Sequence, residues 1–157
     1  MEIRTSEEGW VFEDMDPLIV ELIRSLPSCA ATDDDASQER IFSAPTAGAD
    51  PAADAEWHEF VEPELRELFK ANVDVVVADL ATMREKKETF ALSIPAAHGR
   101  AWIHTLNQAR LALGARYDVT DDDTSGRRHH SGEKGFAIMQ IDFYGMLLGL
   151  LLGRTEI

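Results

Sequence analysis

Five histidines, a single cysteine and two runs of three aspartates are the residues in this chain best suited to hold a metal or move a proton. Their spacing decides what they can do. His58 and Glu62 lie four apart in a helical pattern and so share a face. A zinc-peptidase site needs a second histidine in an H-E-x-x-H run, and "WHEFVEPE" lacks it. His98 and His104 are six apart, roughly 240° around a helix, too far round to ligate one ion. His129 and His130 follow Arg127 and Arg128, whose charge opposes a cation. Asp33–Asp35 and Asp121–Asp123 lack the alternating ligands, glycine and closing glutamate of a calcium loop. Cys29 has no sequence-adjacent base and no second thiol, so it reads as a spare thiol in a reducing cytosol. There is no G-x-S-x-G, P-loop or glycine-rich dinucleotide turn. The expectation is no catalytic residue, no metal and no cofactor.

One polar set stands apart. In "AAHGRAWIHTLNQARLALGARY", Asn107 and Arg110 are neighbours three residues apart, Arg116 lies near the helix end, and "DVTDDD" follows. Either arginine can reach Asp122 across the turn and clasp the helix exit. The alternative is a polar recognition spot beside an apolar groove. Asn107, Arg110, Arg116 and Asp122 are therefore the candidate binding residues.

These residues must be positioned by a mainly α framework of the α+β class. Glu2–Arg4 and Trp10–Glu13 read as a hairpin with a longer loop, and "TFALSI" near residues 89–93 as a third strand of a small antiparallel sheet. Four to five helices complete the bundle. Asp16 and Pro17 supply an N-cap and first position for a helix ending at Pro27, with Leu18, Leu22 and Leu26 on its apolar face. Residues 28–53, rich in Ala, Asp, Ser and Pro, read as a surface loop pinned by Ile41–Phe42. A long helical pattern then runs from Pro51 or Ala52 to Lys87, broken near Glu62 by Pro63, with "MREKKE" as a solvated tail. Trp102, Leu106, Ala109, Leu113 and Tyr117 stripe the clearest helix, and Thr120 with Asp123 forms a capping-box variant. The turn-rich "TSGRRHHSGEKG" leads into a last helix from about Glu133 to Leu152. The 157 residues form one domain.

The last helix contains "FYGMLLGLLLG". A membrane span needs roughly 20 apolar residues, whereas Phe136–Leu152 is shorter and holds Gln140 and Asp142. Burial is expected instead. Gly145 and Gly149 share a face, and each glycine costs about 1 kcal/mol in a helix interior. That expense predicts close packing against Ala109 and Ala112. Gly145, Leu148, Gly149 and Leu152 are candidate interface residues, with homodimerisation an alternative use of any leftover apolar face.

The formal charge is −14, and residues 1–66 hold 17 Asp/Glu against 4 Lys/Arg. Such a field repels nucleic acid and anionic lipid and favours a partner with a basic surface. The segment "MEIRTSEEGW" has no signal-peptide pattern, so a cytoplasmic location is expected.

The run from Trp102 through Leu106, Asn107, Arg110, Leu111, Leu113, Gly114, Arg116, Thr120 and Asp122 resembles the signature of a bacterial family, the domain of unknown function numbered two thousand and seventeen. The strand-like start ending in "DP", "EWHEFVEPELRELF" and the apolar last helix look like the same layout. Gln108 stands where that family usually has an acidic residue, and Tyr117 where it has an aliphatic one. Members are often encoded beside the adaptor of the Clp protease, which implies a role near regulated proteolysis. The function expected is a non-enzymatic interaction or accessory protein; the alternatives are a small metal-dependent hydrolase assembled from His and Asp, or a structural homo-oligomer.

Overall fold

In the computed structural model, which describes residues 1–124 and 130–155, four strands form an antiparallel sheet of order β1-β2-β4-β3. They are β1 (Glu2–Ser6), β2 (Gly9–Met15), β3 (Arg84–Lys86) and β4 (Thr89–Pro95). Trp10 pairs with Ile94 and Phe12 with Leu92, and all four side chains are buried on one face. Asp14, at φ 52°, interrupts the register between Phe12 and Met15. That bulge turns Met15 into the core although it lies out of phase with Phe12.

Two strand details depart from expectation. The first hairpin closes on Glu7 and Glu8 alone, with Ser6 paired to Gly9, rather than through a longer loop. Gly9 permits this: its φ is 145°, and a Cβ there would lie 2.0 Å from the Ile94 carbonyl oxygen. The "MREKKE" segment is not a helix tail but the short edge strand β3, returned onto β4 through Lys87 at φ 61°. Its charged, exposed side chains protect that sheet edge from pairing with other chains.

Asp16 accepts the Ile19 N–H at 3.0 Å and Pro17 opens α1 (Pro17–Arg24), as the sequence predicts. Val20, Leu22 and Ile23 are buried, whereas Leu18 faces solvent. The helix stops before Pro27, which sits in a separate short turn, α2 (Leu26–Cys29). Residues 28–53 are more than a loop, because α3 (Asp35–Ile41) lies among them and packs on the central helix. Phe42 is the pin, buried against Phe69 with ring centroids 5.5 Å apart. The polar run "DASQERI" concealed α3, since it carries almost no apolar periodicity.

The break at Pro63 takes a definite form. α4 (Pro51–Glu56) passes through a π turn at Trp57–Val61 into α5 (Glu62–Leu80). A wider turn relieves both the missing N–H and the ring clash of Pro63. Along this segment Val76 is buried, but Val61 and Leu68 are exposed.

α6 (Gly99–Arg116) is the central helix, contacting α3, α5 and α8. Trp102, Leu106, Ala109 and Leu113 are buried along it, as their spacing requires. Trp10 lies over its start, where Gly99 leaves room for the indole: a Cβ there would meet the ring at 2.6 Å. After α7 (Asp121–Thr124), α8 (Gly132–Thr155) lays Ala137, Ile141, Tyr144, Leu147 and Leu151 into the core. The fold is mainly helical α+β. The last helix is longer than the sequence predicts, and Gly132–Gly153 has the length and mean hydropathy (1.6) of a membrane span, with 33% of its most apolar stretch buried inside the protein.

Candidate functional site

α6 carries the expected polar set on different sides. Asn107 and Arg110 line a shallow cleft of about 190 Å³ with Leu111, Val119, Thr120, Asp121 and Ile141. That volume falls short of the roughly 300–1,000 Å³ typical of small-molecule sites. Arg110 donates from Nε to the Ile141 carbonyl at 3.3 Å, bridging α6 to α8. Arg116 turns away from that cleft. Its Nε donates to Asp34 Oδ1 at 3.0 Å and its second guanidinium nitrogen to the Ala31 carbonyl at 2.9 Å.

The clasp therefore exists, but Arg116 closes it on Asp34 at the N-cap of α3 rather than on Asp122. Asp34 also accepts the Ser37 hydroxyl and N–H. The Ser37 hydroxyl bond leads in holding its carboxyl down at about 2, with the backbone bond and Arg116 adding to it against partial desolvation. Asp122 is exposed in α7. The four residues do not form one site.

Gly145 is explained by Arg110, not by Ala109 or Ala112. A Cβ at Gly145 would lie 3.2–3.3 Å from the Arg110 guanidinium, so the glycine seats that cation. Gly149 is exposed; a Cβ there would meet nothing within 4 Å, and the expected close packing is absent. Leu148 packs against the core, while Leu152 is exposed. The four candidate interface residues thus divide between the inside and the outside of α8.

Three polar clusters lie beyond the reach of sequence spacing because their members are far apart in the chain. Asp79, buried near the end of α5, accepts His98 Nδ1 at 2.9 and 3.0 Å and Trp102 Nε1 at 2.8 Å. An imidazole oriented on a buried carboxylate is the arrangement of a histidine base. Here the indole shares the same carboxylate, so the cluster binds the end of α5 to the start of α6. Asp123 accepts the Thr120 N–H and hydroxyl and also pairs with His130 and Lys134. Led by the Thr120 N–H, these bonds hold its carboxyl far below the usual range. Half of the expected capping box is present: Asp123 reaches back to the Thr120 N–H, while the Thr120 hydroxyl donates to the same carboxylate and the Asp123 N–H bonds the Thr120 carbonyl. Arg127, Arg128 and His129 lie outside the described residues.

The third cluster surrounds Cys29. Tyr144 Oη donates to the Leu22 carbonyl at 2.7 Å and contacts Ser25 Oγ at 2.9 Å, while Gln140 Nε2 lies 3.3 Å from both Ser25 Oγ and Cys29 Sγ. Burial pushes the Tyr144 hydroxyl far up, so it stays a neutral donor. The thiol is enclosed in this network and buried. Among the described residues, no three His, Cys, Asp or Glu side chains gather as a metal-ligand set.

On the surface, the π turn has an effect that helical spacing gives no sign of. Phe60 is 65% exposed, beside exposed Val61, and Leu68 is 55% exposed two turns along the chain in α5. Glu56, Glu59, Glu64 and Glu67 around them are all exposed. From Pro51 to Leu80 the chain carries eight carboxylates against Arg66 and Lys70. Both cations are occupied locally: Arg66 with Glu62 and stacked 4.0 Å over Phe42, Lys70 with Asp74. This leaves an acidic field around apolar knobs.

Fold and surface together define a mainly helical α+β protein whose buried carboxylates brace helix junctions and whose outer helices carry exposed apolar side chains. The chain belongs to the family described as "Domain of unknown function (DUF2017)", whose family model matches residues 3–154. No curated protein and no solved structure matches it.

Proposed function

We propose that this chain is a non-enzymatic interaction protein of the cytoplasm that receives a basic protein segment on the outer face of the π turn and α5. The supporting observation is Phe60, an aromatic side chain 65% exposed and flanked along the chain by the exposed Glu56, Glu59 and Glu64. Aromatic side chains anchor interfaces, while surrounding charge selects the partner and speeds encounter. A cationic segment with an apolar residue to set beside Phe60 and Leu68 satisfies both demands. The same field disfavours nucleic acid and anionic membrane as partners. An accessory of Clp-type proteolysis is the setting that the family resemblance implies.

The test compares wild type with Phe60→Ser and with the charge reversal Glu59→Lys/Glu64→Lys. Each is immobilised and exposed at low salt to purified Clp adaptor and Clp ATPase, and to lysate. Wild type is expected to retain a basic partner, and both variants to lose at least about ten-fold in affinity, as truncating an interface anchor does, while melting as wild type does. Equal retention by all three proteins would refute this surface as the docking site. The hydrolase alternative draws on the Asp79–His98 pair; esterase turnover lost in His98→Asn would favour it.

A further inference from the structure

We infer that α8 pairs antiparallel with α8 of a second copy of this chain, through Phe136, Met139, Phe143, Met146 and Leu150. This face lies on a different helix from the acidic surface of α5 and stands on separate observations. The spacing of the five residues is three, four, three, four, the repeat that aligns one helix along another. Phe136 and Met139 are each 38% exposed, Met146 46% and Leu150 42%, with Phe143 half-buried at the centre. From Gly135 to Gly153 the only charged residue is Asp142, which is exposed.

The ends of the stripe are unlike each other, and that sets the orientation. Phe136 is bulky, whereas Leu150 is flanked by Gly149 and Gly153, where a Cβ would meet nothing within 4 Å. In a parallel pair Phe136 would oppose Phe136 and the glycine ends would face each other across a gap. In an antiparallel pair Phe136 of each copy lies against Leu150 and its glycines, Met139 lies opposite Met146, and Phe143 sits on the two-fold axis. This arrangement is self-complementary, and it opposes the helix dipoles favourably.

Area sets the strength. Five large side chains about two-fifths exposed offer roughly 400 Å² per copy, or about 800 Å² for the pair. That falls short of the roughly 1,200 Å² at which specific, stable interfaces begin, so association is weak and transient, in the high micromolar range rather than the nanomolar. A bilayer would be a poorer cover, because Asp142 would have to enter hydrocarbon.

The experiment has three arms. Wild type is expected to sediment as a monomer near ~10 μM and increasingly as a dimer above ~100 μM, with Met146→Lys weakening association at least about ten-fold at an unchanged melting midpoint. Met139→Cys and Met146→Cys proteins, mixed at high concentration under mild oxidation, are expected to give the mixed disulfide at least about ten-fold over either homodisulfide, since only facing positions meet the bond's geometry. Cys29 is buried and stays out of the reaction. Wild type is expected to remain in solution beside phosphatidylcholine vesicles. A monomer throughout the range, a predominance of homodisulfides, or capture by the vesicles would each overturn the proposal. Phe60→Ser is expected to self-associate as wild type does, which separates this result from the fate of the acidic surface.

Discussion

Gly99 and Gly149 look alike in sequence, each a glycine in a helical stretch, yet their surroundings differ completely. The Trp10 ring occupies the space a Cβ at Gly99 would need, at 2.6–2.7 Å, where both partners are buried. Gly99→Ala must push the indole off the sheet–helix junction, an overpacking expected to cost about 1–3 kcal/mol in urea denaturation. Gly149 faces open solvent. Gly149→Ala, measured at a concentration low enough to keep the protein monomeric, should stabilise by about 0.5–1 kcal/mol through helix propensity alone. Opposite signs from the same substitution would confirm that contact, not residue type, governs each site. The expectation of a tight contact at Gly149 rests on its four-residue spacing from Gly145, and spacing cannot say which side of a helix meets another.

Beside the apolar core, buried and half-buried carboxylates tie several elements to one another. Asp34 both caps α3 and takes Arg116 from α6, and its carboxyl titrates near 2 instead of the ordinary 3.8. A depressed folded value means the stabilisation is complete above the unfolded pKa and is lost as pH falls through the folded one. The stability gap between wild type and Asp34→Asn, followed by urea melts, should therefore be constant above about pH 4 and close between about pH 4 and 2. A gap independent of pH would show that Asp34 acts as a hydrogen-bond acceptor and not through its charge. Taking the difference removes the remaining carboxylates, which titrate in both proteins.

At the scale of the molecule, charge is unevenly spread: residues 1–66 carry 17 acidic and 4 basic side chains, against 12 and 11 beyond them. Like charges crowded on one part of a fold oppose folding and are relieved by salt. Raising ionic strength from about 0.01 M to 0.15 M shortens the screening distance from roughly 30 Å to 8 Å. The melting temperature should rise over that range, by about 2–4 °C for each kcal/mol of repulsion removed, while affinity for a basic partner falls. A melting temperature that drops with salt would mean that surface ion pairs outweigh the repulsion.

What the sequence determined by itself was whatever depends on near neighbours: three of the four strands of the sheet, the cap at Asp16, the break at Pro63, the core stripe of α6 and the resemblance to the family. Periodicity and capping act over a few residues, so they are legible without coordinates. Only the tertiary structure decided that Arg116 meets Asp34 across 82 positions of chain, that Asp79 holds His98 and Trp102, and that Gly145 seats Arg110. It also decided which apolar residues of α5 and α8 stay outside. A helix whose side chains are apolar nearly all round has no face marked in advance for solvent; the packing of its neighbours chooses one.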